Sequence, residues 1–537
     1  MNNVLLVVLD GFGIAPSGPG NPVSLAHIPH IRSYLHNYPN TTLQASGEAV
    51  GLPKGEVGNT EVGHINLGAG RIVFQDLPRI NNSIDDGSFY KIPAFIRSTE
   101  HVQQTGGAFH IIGLFSRGAV HSSLKHFYAV LELAQRQKID KVFIHAITDG
   151  RDSSPIEGIE VLGEVERKLE QEGVGKIATV MGRYYGMDRD RRWERTEQAY
   201  KALTTGEGLH ASSASEAIQT SYNAGVTDEF IKPTIILPDA RIRPGDTVVF
   251  FNFRIDRPRQ LTKAFVLDDF ENQANITTSF DPYASQAYTK TVSTEPVLNA
   301  PFHRGEKIQN LCFVTMTEYE KNLPTVVAFA PTQVDVPLGE VLANHQISQL
   351  RMCETEKERF VTFYFNGQHE NAYPLEERII LPSPKVPTYD LKPEMAAYEI
   401  TDVLLQKMSE NKYRFILVNF ANADMVGHTG SIPASIKAVE TLDVCLDKIV
   451  KLAAEKNYTV LVTADHGNVE VKINPKTGGA STEHTGNLVP FIVIRPDLKG
   501  KTDGVISGVL GDVAPTILKL LEIPQPPQMK GKNLKVM

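Results

Sequence analysis

The sequence predicts an α/β fold built on more than one sheet, and three observations point there. Short apolar runs recur along the chain and are closed at once by polar or glycine residues. Stretches with a 3.6-residue apolar period lie between them. At roughly 150 residues per domain, 537 residues allow two to four domains. Continuous apolar runs of four to eight residues suit strands covered on both faces, as in a parallel sheet, and their alternation with helices is the α/β signature.

Residues 4–9 form the first such run, closed by Asp10 and Gly11. The run is too short for a signal peptide core or a membrane span and reads as a buried strand. The middle of the chain offers candidate strands at 109–115, 142–147, 177–181 and 248–253, with candidate helices at 124–135, 156–171 and 193–203. The helix at 156–171 carries Ile159, Leu162, Val165 and Leu169 on one face and stops at Gly173. The C-terminal part repeats the theme. Strands are expected at 415–420, 459–463 and 491–494, and a helix at 434–452 places Ile436, Val439, Leu442, Leu446 and Ile449 on one face. Residues 267–304 break the rhythm with Asn, Thr, Ser and Tyr, and read as a long surface insertion.

Composition narrows the function. Apolar residues make up 41% and charged residues 22%, an ordinary soluble balance, and the formal net charge is −8. That gives no overall positive field for a nucleic-acid backbone, so no nucleic-acid partner and no membrane partner is expected. Cys312, Cys353 and Cys445 are too far apart in sequence for a CxxC zinc site or a disulfide scaffold, which favours a reducing, cytoplasmic compartment.

The chemistry-bearing residues fall just beyond the apolar runs. Asp10, Asp424 and Asp465 each follow a strand candidate, and ligands of open α/β sheets bind at strand carboxyl ends. His466 adjoins Asp465, His428 lies four residues after Asp424, and His484 sits in a Thr/Gly-rich loop. Mixed imidazole and carboxylate donors suit Mn²⁺ or Zn²⁺. Taken singly, each Asp is also a plausible helix cap; taken together, the set reads as a metal site. Thr60, within Gly58–His64, is either a nucleophile at a tight turn or a plain helix N-cap. Arg151, Arg183 and Arg254 each follow a strand of the middle region, with His121, Asp152, Arg189 and Arg257 close by. The guanidinium fork binds phosphate or carboxylate bidentately, so a small, multiply anionic substrate is implied. Arg191 and Arg192 read as a solvated charge run.

Eight strings in order carry a resemblance over nearly the whole chain: GNTEVGH from Gly58, HAITDGRD from His145, GRYYGMDRDRRWER from Gly182, NFRIDRPRQ from Asn252, ETEK from Glu354, SPKVPTYDLKPEM from Ser383, NFANADMVGHTG from Asn419 and TADHGNVE from Thr463. The chain resembles the cofactor-independent phosphoglycerate mutases of the alkaline phosphatase superfamily. The resemblance implies an alkaline-phosphatase-like sheet domain, residues 1–76 and 332–537, that holds metal, with a second α/β domain, residues 77–331, inserted for transferase and substrate-binding work. It implies interconversion of 3-phosphoglycerate and 2-phosphoglycerate through a phosphoenzyme, in a monomer carrying two divalent ions, Mn²⁺ foremost with Mg²⁺, Co²⁺ or Zn²⁺ as alternatives. One ion would be held by Asp424, His428 and His484, the other by Asp10, Asp465, His466 and the nucleophile. His121, Arg151, Asp152, Arg183, Arg189, Arg254, Arg257 and Lys357 would bind substrate, with Asp152 shuttling the proton.

The chain departs from the family pattern in three places. Thr60 stands where the family has serine. SRGAVHSS, from Ser116, replaces SDGGVHSH, which puts Arg117, Ala119 and Ser123 in new roles. Glu358, Arg359 and Phe360 stand where the family has Tyr-Ala-His. Two other readings follow from the same residues: a metal-dependent phosphatase or phosphodiesterase of this superfamily, or a binding protein impaired by the Thr60 change.

Overall fold

The computed structural model describes residues 3–276, 300–331 and 333–536. The greater part of the expected 267–304 insertion, residues 277–299, therefore lies outside the described residues, as does Thr332. The chain divides into two compact units, Met1–Pro78 with Thr332–Met537, and Arg79–Pro331. Among the described residues each is built on its own eight-stranded sheet. Among the described residues no helix is long and apolar enough to cross a membrane.

In the first unit the strands lie in the order Glu376–Leu381, Gln349–Glu354, Phe415–Phe420, Asn3–Leu9, Tyr458–Thr463, Val489–Ile494, Asn40–Gln44 and Gly508–Val509. The first five are mutually parallel. Asn3–Leu9 sits between two of them, and its residues from Val4 to Leu9 are almost wholly excluded from solvent. That is why it reads as an unbroken apolar run. The run at 491–494, expected in a parallel sheet, instead pairs antiparallel on both sides, with Tyr458–Thr463 and with Asn40–Gln44. A strand buried on both faces is apolar whichever way its neighbours run, so direction is not encoded in the pattern. The Ile432–Glu455 helix packs its Val439, Leu442, Leu446 and Ile449 into the core of this unit.

In the second unit the order is Val326–Phe329, Cys312–Thr317, Thr247–Phe250, Phe109–Phe115, Val142–Thr148, Lys176–Gly182, Thr234–Ile235 and Leu209–His210. The first six are parallel. The strand expected at 248–253 ends at Phe250. Beyond it the Asn252 side chain takes over the ladder, its Oδ1 accepting from Leu114 N at 2.9 Å. Phe251 and Asn252 remain buried, so an apolar run outlasts the strand that it begins.

The SRGAVHSS departure has a structural counterpart here at each of its three changed residues. Ser123 caps the Leu124–Arg136 helix by accepting from Lys125 N. Arg117 reaches Glu157 and Glu164. Ala119 adopts φ 52°, a left-handed conformation that costs a side chain energy.

Candidate metal centre and arginine cleft

The first unit gathers its functional side chains at the carboxyl ends of four adjacent parallel strands. Asp10 follows Asn3–Leu9, Asp424 follows Phe415–Phe420, Asp465 and His466 follow Tyr458–Thr463, and Lys357 follows Gln349–Glu354. Gly11 has φ +73°, and a Cβ there would lie 2.7 Å from Asp424 Cα, so only glycine lets the two loops approach. Thr60 opens the Thr60–Ala69 helix. The cap is Asn59, whose side chain accepts from Val62 N at 2.9 Å, so Thr60 is released from capping and sits one position inside. A Cβ on Gly63 would meet Asp465 O at 2.5 Å, which is how this helix comes close to the third strand loop.

The Thr60 hydroxyl Oγ1 lies 2.9 Å from His466 Nε2, 3.1 Å from Lys357 Nζ and 3.4 Å from Asp10 Oδ1. Lys357 is buried and donates at 2.7 Å to both Asp10 Oδ1 and Asp424 Oδ2. Burial opposes its charge, but Asp10, Asp424 and Asp465 hold the ammonium well above its ordinary range. Burial also opposes the charge of Asp424, yet Lys357, His428 and His484 keep this carboxyl well below the usual range. Burial likewise pulls His466 down, while Asp465, Asp10 and Asp424 push it up to about 10 in the metal-free protein.

The imidazole tautomers show what this pocket can hold. His484 Nδ1 lies 2.9 Å from Gly58 O, His428 Nδ1 lies 2.8 Å from Thr482 O, and His466 Nδ1 lies 3.2 Å from Gly467 O. A carbonyl only accepts, so each Nδ1 carries a hydrogen, and each ring in its neutral form, the form that binds metal, turns a bare Nε2 inward. The His484 and His428 Nε2 atoms are then 3.0 Å apart, and both lie 3.2 Å from Asp424 Oδ1. With both rings neutral, three lone pairs converge there, an arrangement that a cation would satisfy. The buried Asp465 Oδ2 lies 3.2 Å from His64 Nδ1 and 3.6 Å from His466 Nε2. This donor set fits divalent metal: Asp424, His428 and His484 on one side; Asp10, Asp465, His466 and the Thr60 hydroxyl on the other.

Sequence reasoning missed His64. Its Nδ1 lies 2.9 Å from Thr60 O and 3.2 Å from Asp465 Oδ2, and its Nε2 lies 3.0 Å from Asn419 Nδ2. The Asn419 amide also donates to Asp10 Oδ2 at 2.8 Å, so its N–H face points toward His64. His64 Nε2 is therefore the acceptor and Nδ1 the donor. Although His64 lies beside Asp10 and Asp465, it orients Asp465 rather than offering a lone pair. A fully buried asparagine inside an apolar strand was the available signal for this network.

The second unit repeats the placement with the opposite charge. Arg254 follows Thr247–Phe250, His121 follows Phe109–Phe115, Arg151 and Asp152 follow Val142–Thr148, and Arg183 follows Lys176–Gly182. These are again four adjacent parallel strands. Buried Arg183 donates from Nη1 at 2.5 Å to both Asp149 Oδ1 and Asp152 Oδ2. Asp256 accepts from Arg189 Nη1 at 2.6 Å and Arg254 Nε at 3.1 Å, and its Oδ1 lies 3.6 Å from His121 Nδ1. Burial, then Arg183 and Arg254, push His121 down to about 4 against the pull of Asp256 and Asp152, so it is neutral at physiological pH. Burial and the neighbouring Arg183, Arg189 and Arg151 push Arg257 down to about 10. Six arginines, at 151, 183, 189, 192, 195 and 257, line one polar cleft against Asp188, Asp190 and Glu229. Among the described residues, the buried Nε atoms of Arg183 and Arg257 have no hydrogen-bond partner. Arg192, expected in a solvated charge run, lines this cleft and pairs with Asp188 and Asp190. Arg195 was not legible as part of it, nor were Asp149 and Asp256 as partners of Arg183 and Arg189.

Comparison with known proteins places the chain. The family model described as BPG-independent PGAM N-terminus matches residues 80–321. The model for type I phosphodiesterase / nucleotide pyrophosphatase matches residues 268–520. The 2,3-bisphosphoglycerate-independent phosphoglycerate mutase of Moorella thermoacetica is 49% identical over 537 residues, covering 99% of this chain and 98% of the relative. That of Chloroflexus aggregans is 48% identical, with coverage of 99% and 98%. A solved structure of Leishmania mexicana phosphoglycerate mutase at low cobalt concentration matches with a TM-score of 0.55 at 28% identity, covering 100% of this chain and 98% of that one. The chain belongs to the 2,3-bisphosphoglycerate-independent phosphoglycerate mutase family.

Proposed function

We propose that the protein interconverts 3-phosphoglycerate and 2-phosphoglycerate, as an isomerase that carries the phosphoryl group transiently on Thr60. The observation that carries this reading is the Thr60 hydroxyl, freed from capping and set among His466 Nε2, Lys357 Nζ and Asp10 Oδ1. Two divalent ions, Mn²⁺ foremost, would be held by the two donor groups described above; when bound, they lower the pKa of a coordinated hydroxyl and neutralise phosphoryl oxygens.

In the forward half-reaction a Thr60 Oγ1–P bond forms and the bond from phosphorus to the glycerate oxygen breaks. Asp10 Oδ1 is placed to accept the hydroxyl hydrogen. Lys357 Nζ lies beside the oxygen under attack and offers fixed positive charge to the phosphoryl group. The departing glycerate oxygen takes a proton from Asp152. In the return half-reaction Asp152 takes the proton of the other hydroxyl, that oxygen attacks phosphorus, the Oγ1–P bond breaks, and Thr60 Oγ1 recovers its hydrogen from Asp10. Arg183 holds the Asp152 carboxyl, and neutral His121, 3.6 Å away, presents a nitrogen without adding charge. Arg151, Arg183, Arg189, Arg254 and Arg257 supply the forks for carboxylate and phosphate. A cytoplasmic monomer goes with this reading.

Retention of the glycerate distinguishes a mutase from a phosphatase, and the arginine cleft gives the dephosphorylated acid a place to stay. The test is an acid quench of enzyme with substrate followed by peptide mapping. A phosphate on the Thr60 peptide, 2-phosphoglycerate as product and a nearly inactive Thr60→Ala variant are expected. Free phosphate as the main product would favour the phosphatase, and an active Thr60→Ala variant would remove Thr60 from the chemistry.

A further inference from the structure

Lys472 is fully buried, and the mechanism does not use it. Its ammonium donates to Gly427 O at 2.9 Å and makes a short hydrogen bond to Asn468 Oδ1. Neither partner is charged. A buried ammonium without a carboxylate partner is costly to keep, so its position needs a reason.

The reason lies in the direction it forces on the next side chain. An ammonium has three hydrogens and no lone pair, so the atom of Asn468 facing it must be the oxygen. The amide N–H group is thereby turned the other way. Asn468 Nδ2 donates to Asp424 Oδ1 at 2.8 Å and approaches Asp424 O at 3.3 Å. With Oδ1 held by this bond, Asp424 keeps Oδ1 toward His428 and His484 and turns Oδ2 to Lys357. A flipped amide would set oxygen against carboxylate oxygen and push Asp424 off that direction. Burial pushes Lys472 down to about 8, with Glu470 and Asp424 opposing the shift, so at neutral pH it is largely the donor-only ammonium.

The geometry points to Lys472 as a positioning residue for the metal centre, acting through the Asn468 amide to set the direction of the Asp424 carboxylate. This deepens the reading of Asp424 as a metal ligand and rests on it. Partners that orient a ligating side chain typically change metal affinity about 10- to 100-fold.

The experiment measures Mn²⁺ binding to the metal-stripped full chain from the electron paramagnetic resonance signal of free Mn²⁺, with circular dichroism to verify the fold. Lys472→Met, which removes the donor, is expected to bind at least one ion about 10-fold more weakly. Lys472→Gln, whose amide can still donate to Asn468 Oδ1, is expected to retain most of the affinity although the charge is gone. Asn468→Ala should lose affinity to the same extent as Lys472→Met, and adding Lys472→Met to it should change nothing further. Wild-type affinity or tighter in folded Lys472→Met overturns the inference, and so do additive losses in the double variant. If Lys472→Met loses the fold, Asn468→Ala carries the test, and unchanged affinity there overturns it. A wild-type chain that binds no Mn²⁺ sinks the metal reading together with the inference; a binding wild type with indifferent variants sinks the inference alone.

Discussion

The two units solve one architectural problem with opposite charge. Each raises its functional loops from the carboxyl ends of four adjacent parallel strands. In the first unit those loops carry carboxylates and inward-facing imidazoles, with Lys357 as counter-ion between Asp10 and Asp424. In the second they carry arginines, with Asp149, Asp152 and Asp256 as counter-ions. On the proposed reading, one unit would hold cations and the other anions. In each, a buried group of the minority charge fixes where the majority points. The largest effect should therefore come from removing a minority group. Lys357→Met leaves Asp10 and Asp424 without their cation, and the metal-free chain should lose about 3–5 kcal/mol in a urea melt with chelator. Turnover should drop roughly 10²–10³-fold if Lys357 also faces the phosphoryl group. A metal-free variant as stable as the wild type would show that Lys357 is not the counter-ion.

Arg254→Ala tests the other unit. It should cost about 2–4 kcal/mol of transition-state stabilisation in kcat/KM, the scale of one lost charged contact. The sharper measurement is Mn²⁺ affinity, which should not move, since Arg254 pairs with Asp256 inside the anion-holding unit. A variant that loses metal along with activity would break the division between the units.

Buried histidines separate the units again, and here the sign depends on which unit is asked. Burial, with Arg183 and Arg254, pushes His121 to about 4, while burial, with Lys125, pushes His126 to about 3. Burial also lowers His110 and His145, which bond to each other at 2.9 Å across adjacent strands. A histidine whose folded pKa lies below its unfolded value of roughly 6.5 leaves the proton to the unfolded chain. Its stability is full above 6.5 and is lost as pH falls toward 4. His466, raised to about 10 in the metal-free protein, does the reverse: its contribution is full below 6.5 and lost as pH rises through 10. Between pH 7 and 5 the metal-free chain should lose on the order of 2 kcal/mol from each of His121 and His126. Hydrogen exchange should place that loss in residues 79–331. Equal loss in both units would refute the assignment.

What the sequence reveals of this arrangement follows burial. Phe415–Phe420 and Phe109–Phe115 are legible end to end, because strands covered on both faces exclude every polar side chain except one that works. Glu376–Leu381, half-buried along its length, and the polar Asn40–Gln44 pass unseen for the converse reason. The site divides in the same way. Asp10, Asp465 and Arg183 announce themselves by following an apolar run. His64, Asn468 and Asp256 act on other side chains, and a residue whose task is to aim its neighbour has no spacing of its own to betray it.

The smallest effect concerns the backbone beside each site. After its first strand the metal unit uses Gly11 at φ +73°, where a side chain would strike Asp424. In the arginine unit, the turn that follows Phe109–Phe115 places Ala119 at φ 52° and exposed to solvent. An L-residue in the left-handed region costs about 1–2 kcal/mol, whereas glycine there costs only its greater freedom in the unfolded chain, about 0.4–1 kcal/mol. Ala119→Gly should therefore stabilise the second unit by about 0.5–1 kcal/mol, while Gly11→Ala should destabilise the first by more than that, because contact with Asp424 adds to the backbone strain. Denaturant midpoints read the sign, and hydrogen exchange assigns each change to its unit. The loop from Ser116 to His121 also carries a site residue, so turnover reads whether relieving the strain lets His121 wander. Unchanged kcat with raised stability would mean that the strain at Ala119 does no positioning. A fall in kcat with raised stability would mean that the strained turn holds His121 in place.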